Sequence, residues 1–236
     1  MLIIEDVRAS YGHSEAIHGI SLTVEKGEVV CLVGRNGAGK TSTLRAIVND
    51  QVRITAGSIR LDGAELTGLA PHQIVRRGVG YVPEDRRVFP SLTVLENLIV
   101  PQPTTADGKN EWTIARVFEL FPALDQFRSR IAGNLSGGQQ QMLSIGRSLL
   151  TNPALLLLDE PHEGLAPLVT AEVIRSLKSL KAQGVAMLIS EQQLHLVNEC
   201  ADRIYVIDKG TIVFDGTPQA FAADGTIASR YLFLAV

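Results

Sequence analysis

The sequence predicts an α/β fold centred on a parallel sheet, with a β-rich start and an inserted helical part. Three observations predict it. The run GRNGAGKT, residues 34 to 41, fits the pattern G-x-x-x-x-G-K-[ST] and stands between an apolar strand and a helix, the context a phosphate-binding loop requires. From residue 153 onward, short continuous apolar runs alternate with helical periodicity, as strands joined by crossover helices do. Between residues 84 and 152 the character is helical, which marks an insertion.

Each element can be justified in turn. In residues 1–83, LIIEDVRASY, GISLTV, GEVVCLVG, GSIRLDG and VGYVP read as strands, with TSTLRAIVN a helix after the third. In the insertion, TVLENLIV and EWTIARVFELF read as helical, and PQPTTADGKN as the loop between them. In residues 153–236, LLLLDEP is a buried strand, LVTAEVIRSLKSLKAQG an amphipathic helix ended by Gly184, and VAMLIS another buried strand. IYVIDKGTIVFDGTP holds two strands around the turn Lys209-Gly210, followed by a helical tail. The expected organisation is one nucleotide-binding domain, 1–236, made of core segments 1–83 and 153–236 with a helical subdomain at 84–152.

Composition narrows the function. A chain of 236 residues with 45% apolar content can bury a sizeable core. Its net charge of -3 leaves no electrostatic footprint for nucleic acid, which is excluded as a partner. Cys31 lies in a strand-like run and Cys200 in a helix-like one, so a reducing compartment is expected and a disulfide is not. The opening MLIIEDVRAS goes straight into strand-like sequence, so no signal peptide is expected, and no apolar run reaches the length of a membrane span. If the protein works at a membrane, other chains must supply the spans.

The phosphate loop dictates its residue types. Gly34, Gly37 and Gly39 let the backbone curl so that consecutive N–H groups face phosphate oxygens, with Arg35, Asn36, Ala38 and Ser42 in the same nucleotide-binding run. Lys40 would reach the β- and γ-phosphates, and the hydroxyl of Thr41 would join a Mg²⁺ shell. At the end of LLLLDEP, Asp159 would hold the metal and Glu160 would act as general base or water-positioning group. A third motif, LSGGQQQ at residues 135 to 141, resembles a capped helix N-terminus with glycines for close approach of a ligand. One nucleotide on one chain needs only one such surface, so the second suggests a nucleotide sandwiched between two subunits.

LSGGQ, in its order after GRNGAGKT and before LLLLDEP, resembles the signature of the ATP-binding-cassette ATPases, and the resemblance covers essentially the whole chain. It implies a P-loop NTPase core with a parallel sheet, an N-terminal antiparallel β subdomain and an inserted α-helical subdomain. It also implies ATP and Mg²⁺ as cofactors, Tyr11 stacked on adenine, and Ser136, Gly137, Gly138 and Gln139 contacting the γ-phosphate held by a partner in a head-to-tail dimer. Three positions depart from the family. Glu84, placed in the metal set, stands where a glutamine is usual, Gln192 stands for a histidine, and Ala166 for an aspartate. Gln192 reads either as a neutral donor to the γ-phosphate or as the cap of the helix QLHLVNECADR. Arg147 reads as part of a solvated helix face.

The combination of VPEDRRVFPSLTVLENL, EGLAP and a turn like Val-Glu-Gln resembles the LivF type, the ATPases of branched-chain amino acid importers, with urea and amide importers as relatives and an exporter ATPase as rival. His162 and Glu163 differ from the common Ser-Leu of that type. The resemblance implies a paralogous second cassette, membrane permease subunits and, indirectly, a substrate-binding protein. The expected place is the cytoplasmic side of the inner membrane, as a peripheral subunit. Glu84-Asp85-Arg86-Arg87 is expected in the groove that receives a permease helix.

Overall fold

The computed structural model describes residues 1–101 and 111–232, so all of the expected loop PQPTTADGKN but its first residue lies outside the described residues. The chain opens with strands β1 (Leu2–Tyr11) and β2 (Ser14–Val24), then β3 (Val29–Val33) and helix α1 (Lys40–Val48). β4 (Arg53–Leu61), β5 (Ala64–Glu65), α2 (Pro71–Arg76) and β6 (Val79–Val82) follow. Helices α3 (Val94–Ile99), α4 (Ile114–Leu120) and α5 (Pro122–Gln126) lead to α6 (Gly137–Leu149). The rest alternates: β7 (Leu155–Asp159), α7 (Pro167–Ala182), β8 (Ala186–Glu191), α8 (Leu194–Cys200), β9 (Arg203–Asp208) and β10 (Thr211–Gly216), with α9 (Pro218–Ala223) and α10 (Gly225–Tyr231) at the end.

Two sheets result. The first, ordered β2-β1-β4-β5, is antiparallel throughout. The second, ordered β10-β9-β3-β8-β7-β6, is parallel except for the pairing of β10 with β9. The continuous apolar runs of this second sheet have a physical reason: it carries a core on each face, and successive residues point to opposite faces. Cys31, Leu156, Leu158 and Ile189 enter the core shared with α3 to α8, while Val30, Leu32, Leu157 and Leu188 enter the one shared with α1 and the antiparallel sheet. Cys31 and Cys200 are both buried and free. Among the described residues no helix is long and apolar enough to cross a membrane.

The amphipathic PHQIVR helix, α2, is an element the sequence reading passed over. Its Pro71 at the first turn is the usual helix-start signal, and its single buried contact, Ile74, is too little periodicity to reveal it. Arg147 corrects a second reading. It does not form a solvated face: it donates to the carbonyl of Arg87 (2.6 Å) and lies 4.3 Å from the ring centroid of Phe89. An arginine at a helix surface can cover an apolar ring with its flat guanidinium, which helical periodicity does not reveal.

Candidate active site

The loop after β3 begins α1 without a side-chain cap. Gly37 and Gly39 stand at φ 77° and 112°, which L side chains rarely adopt, so the loop's curl depends on them. Lys40, at the first position of α1, is only 4% exposed. Its ammonium donates to the carbonyls of Gly34 (2.9 Å) and Arg35 (3.2 Å) and lies 3.0 Å from Oε1 of Glu160. Thr41 donates its hydroxyl to Oδ1 of Asp159 (3.0 Å), tying the start of α1 to the end of β7.

Asp159 is 1% exposed and accepts a second hydroxyl, from Ser190 at 2.6 Å, with the Tyr81 hydroxyl 3.4 Å from its other oxygen. Burial pushes its carboxyl above the usual range, and Glu160 adds to this, against the hydrogen bonds from Ser190 and Thr41. Burial would also raise Glu160. The hydrogen bond from Glu163, the charge and hydrogen bond of Lys40 and the amide of Gln192 outweigh it, and Glu160 falls below the usual range. Glu163 moves the other way, up to about 7, by its hydrogen bond to Glu160, burial, and the negative charges of Glu160 and Glu84.

Gln192 follows β8 and reaches both neighbouring loops. Its Nε2 donates to Oδ1 of Asn36 (2.6 Å) and to both oxygens of Glu160 (3.0 and 2.8 Å). It does not cap α8, whose N-cap is Gln193 with no side-chain cap bond. Lys40, Thr41, Ser42, Glu84, Glu160 and Glu163 line one cleft of about 670 Å³, within the size range of small-molecule sites. Tyr11 stands beside it, its hydroxyl 3.4 Å from that of Ser42, and the residue is 36% exposed. A groove of about 760 Å³ lies between α4, α5 and α7, away from every phosphate-loop residue.

Ser136, Gly137, Gly138 and Gln139 do not line the cleft that holds Lys40. They begin α6 with a reciprocal cap: Ser136 accepts the N–H of Gln139 (3.3 Å) while its own N–H donates to the Gln139 side chain (3.0 Å). A Cβ on Gly138 would fall 2.0 Å from Cγ1 of Val169, so only glycine lets α6 approach α7 here. Ala166 is the N-cap of α7 and has no side chain with which to cap it.

Sequence reasoning missed Ser190, Tyr81 and the role of Glu163 beside Glu160. Ser190 had a faint signal, as the polar end of the apolar strand VAMLIS; its register opposite Asp159 is set by strand pairing. Tyr81 comes from β6, paired to β7, and nothing in its own segment points to Asp159.

Comparison with known proteins agrees with this geometry. The family model described as ABC transporter matches residues 17–163. The branched-chain amino acid transport ATP-binding protein BraG of Pseudomonas aeruginosa is 40% identical over 98% of this chain and 99% of its own length. The lipopolysaccharide export ATP-binding protein LptB of Escherichia coli is 31% identical over 98% of this chain and 96% of its own. Among solved structures, the ADP conformation of MJ1267, an ATP-binding cassette of an ABC transporter, superposes with a TM-score of 0.81 at 28% identity, covering 97% of each chain. A phosphate loop, a buried aspartate at a strand end, a neighbouring glutamate and a family match over more than half the chain agree: the protein belongs to the ABC transporter family, as one of its ATP-hydrolysing cassettes.

Proposed function

We propose that this cassette energises an importer of branched-chain, hydrophobic amino acids, working through a membrane permease at the cytoplasmic face of the inner membrane. The observation that carries the reading is the 40% identity to BraG over nearly the full length of both chains. Import of urea or amides is the near alternative. Export is the second reading, favoured by the 31% identity to LptB.

The residues present fit Mg²⁺. Thr41 and Asp159 offer hard oxygen donors at one point, and Asp159 is a buried carboxylate whose charge a cation would relieve. Thr41, Asp159 and Glu84 would hold the ion, which neutralises charge on the β- and γ-phosphates when bound. Lys40 exchanges Glu160 and the loop carbonyls for phosphate oxygens. Freed of that ammonium, Glu160 becomes a better base toward the attacking water. Gln192 holds the glutamate from one side and offers its amide to the γ-phosphate. Tyr11 supplies a ring for the adenine, and Gly34, Arg35, Asn36, Gly37, Ala38, Gly39 and Ser42 cradle the phosphates.

Ser136, Gly137, Gly138 and Gln139 serve the nucleotide of a second cassette, a paralogue, in a head-to-tail dimer; their position outside the chain's own cleft supports this. The permease docks at the groove of about 400 Å³ lined by Asp50, Tyr81, Arg86, Arg87, Val100 and Arg147, where Val100 is an exposed apolar residue and Ile99, its neighbour in the chain, is another. The groove lies between the core segment 1–83 and the helical subdomain 84–152, each of which supplies part of its lining. A substrate-binding protein delivers the cargo to the permease.

The test is uptake of labelled leucine, isoleucine and valine by cells that express the complete transporter, with Glu160→Gln as control. Uptake that needs both this chain and Glu160 supports the reading. Wild-type ATP turnover with no binding protein co-purifying and no amino acid uptake would transfer support to export.

A further inference from the structure

Two buried side chains next to the cleft have no part in the chemistry above. His162 follows Glu160 by two positions, and Glu191 immediately precedes Gln192. Nδ1 of His162 lies 2.6 Å from Oε1 of Glu191, with the two side chains 6% and 0% exposed. The contact is an ion pair, and neither atom makes a hydrogen bond among the described residues. The other carboxylate oxygen of Glu191 accepts the N–H groups of Gln192 (2.9 Å) and Gln193 (3.2 Å). Glu191 therefore braces the turn that carries Gln192 with one oxygen and reaches the loop that carries Glu160 with the other.

We propose that His162 and Glu191 form a buried positioning pair that fixes the carboxylate of Glu160 against Gln192 during ATP hydrolysis. The inference rests on the reading that Glu160 and Gln192 act in that reaction.

Three observations support it. Glu160 has φ 42°, a left-handed conformation uncommon outside glycine, which persists only where the surroundings over-determine it. Its N–H donates to the carbonyl (3.2 Å) and hydroxyl (3.0 Å) of Ser190, and the turn closes through Glu163 N–H to the Glu160 carbonyl (3.1 Å) and Leu165 N–H to the His162 carbonyl (3.2 Å). These bonds fix the backbone but not the direction of the loop beyond Glu160, and His162 is the side chain that ties that stretch to β8. Second, a carboxylate with no exposure needs a partner, and the imidazole of His162 is the side chain that meets Glu191. Burial draws the imidazole pKa down, yet the hydrogen bonding and charge of Glu191, with Gln193 and Glu160 adding, hold it above its ordinary value. The charged groups facing His162 are thus Glu191 from β8 and Glu160 from its own loop, while Gln193 at the start of α8 is a neutral partner. Third, Glu191 pairs in register with Val33, the last residue before the phosphate loop, so the brace is anchored in the middle of the sheet. A pair of this kind matters because a displacement of about 1 Å in a reacting group can lower a rate about 10²-fold.

Turnover is measured in the assembled transporter and ATP affinity on the full chain. His162→Leu fills the volume without a polar atom, and kcat should fall about 10-fold or more while ATP affinity stays within about 2-fold. His162→Asn carries an amide nitrogen close to the place of Nδ1 and should recover kcat to within about 3-fold. His162→Leu leaves the buried carboxyl of Glu191 without its ion-pair partner and can lower folding yield. The double variant His162→Leu/Glu191→Gln removes both charges, and its kcat loss should equal the larger single loss rather than the product of the two. Glu160→Gln is run in parallel: wild-type turnover by that variant overturns the underlying reading of Glu160. With Glu160→Gln inactive, the pair itself is overturned by any of four results. These are kcat within about 2-fold of wild type for His162→Leu, ATP affinity lost in step with kcat, no recovery by asparagine, or multiplicative losses in the double variant.

Discussion

A single amide nitrogen of Gln192 lies within 3.0 Å of both carboxylate oxygens of Glu160, and within 2.6 Å of Asn36 in the phosphate loop. Three segments far apart in sequence thus meet through one side chain. Gln192 carries no charge, so whatever it does to the γ-phosphate it does as a donor, without the proton exchange open to a histidine near neutral pH. In the assembled transporter, Gln192→Ala should lower kcat by about 10²- to 10³-fold if its amide serves the charge that develops in phosphoryl transfer. Gln192→His should retain activity and add a pH dependence near neutrality. Unchanged ATP hydrolysis and transport by the alanine variant would leave Gln192 a spacer.

Glu160 lies 3.0 Å from the Lys40 ammonium and below the usual carboxylate range. Glu160→Gln should preserve ATP affinity while turnover drops by at least about 10²-fold, the usual size of a lost acid–base group. ATP should then accumulate a trapped dimer, visible by size-exclusion chromatography. Near-normal hydrolysis would remove Glu160 from its assigned role.

Arg87 pairs with Asp50 (3.1 Å) and Asp85 (3.2 Å) at the surface, and Arg86 instead donates to the carbonyl of Glu163 (3.3 Å) beside the signature glycines. Reversing both to glutamate should weaken assembly with the permease or uncouple transport. Arg87→Glu alone separates docking from the site, because an exposed pair of this kind contributes only about 0–1 kcal/mol to folding. A pull-down that retains the permease with the Arg87 variant, together with normal transport, would place the docking surface elsewhere.

Gly138 faces Val169 with no room for a methyl group. Gly138→Ala should destabilise the fold by about 1–3 kcal/mol through overpacking, read as a lower Tm. Val169→Ala in the same chain should restore much of the loss. An unshifted Tm in the single variant would show that α6 and α7 can separate freely.

His162 has a pKa raised above its ordinary value by Glu191. A group whose folded pKa is raised stabilises the fold fully below its unfolded value, about 6.5, and loses that contribution as pH rises through the folded value. The Tm of the wild type should therefore fall relative to that of His162→Asn as pH is raised from about 6 upward. Parallel Tm curves for the two proteins would show that the imidazole does not titrate with folding.

Much of this protein was determined by sequence alone. GRNGAGKT needs its glycines for a backbone turned toward phosphate, LLLLDEP needs leucines because both faces of its strand are covered, and LSGGQ caps its own helix through Ser136 and Gln139. Each of these is a local demand, satisfied by neighbours a few residues away, so each is legible in a short window. What only the tertiary structure decided is which ends meet. β8 lies between β3 and β7, so the residues at its end and just beyond it touch the ends of both neighbours and the loops that follow them: Gln192 reaches Asn36 and Glu160, Ser190 reaches Asp159, and Glu191 reaches His162. Arg147 finds Phe89 and Arg87 by the same route, through helix packing rather than helix periodicity. Strand order is set by the burial of two cores at once, a property of the whole chain, and no window of sequence contains it.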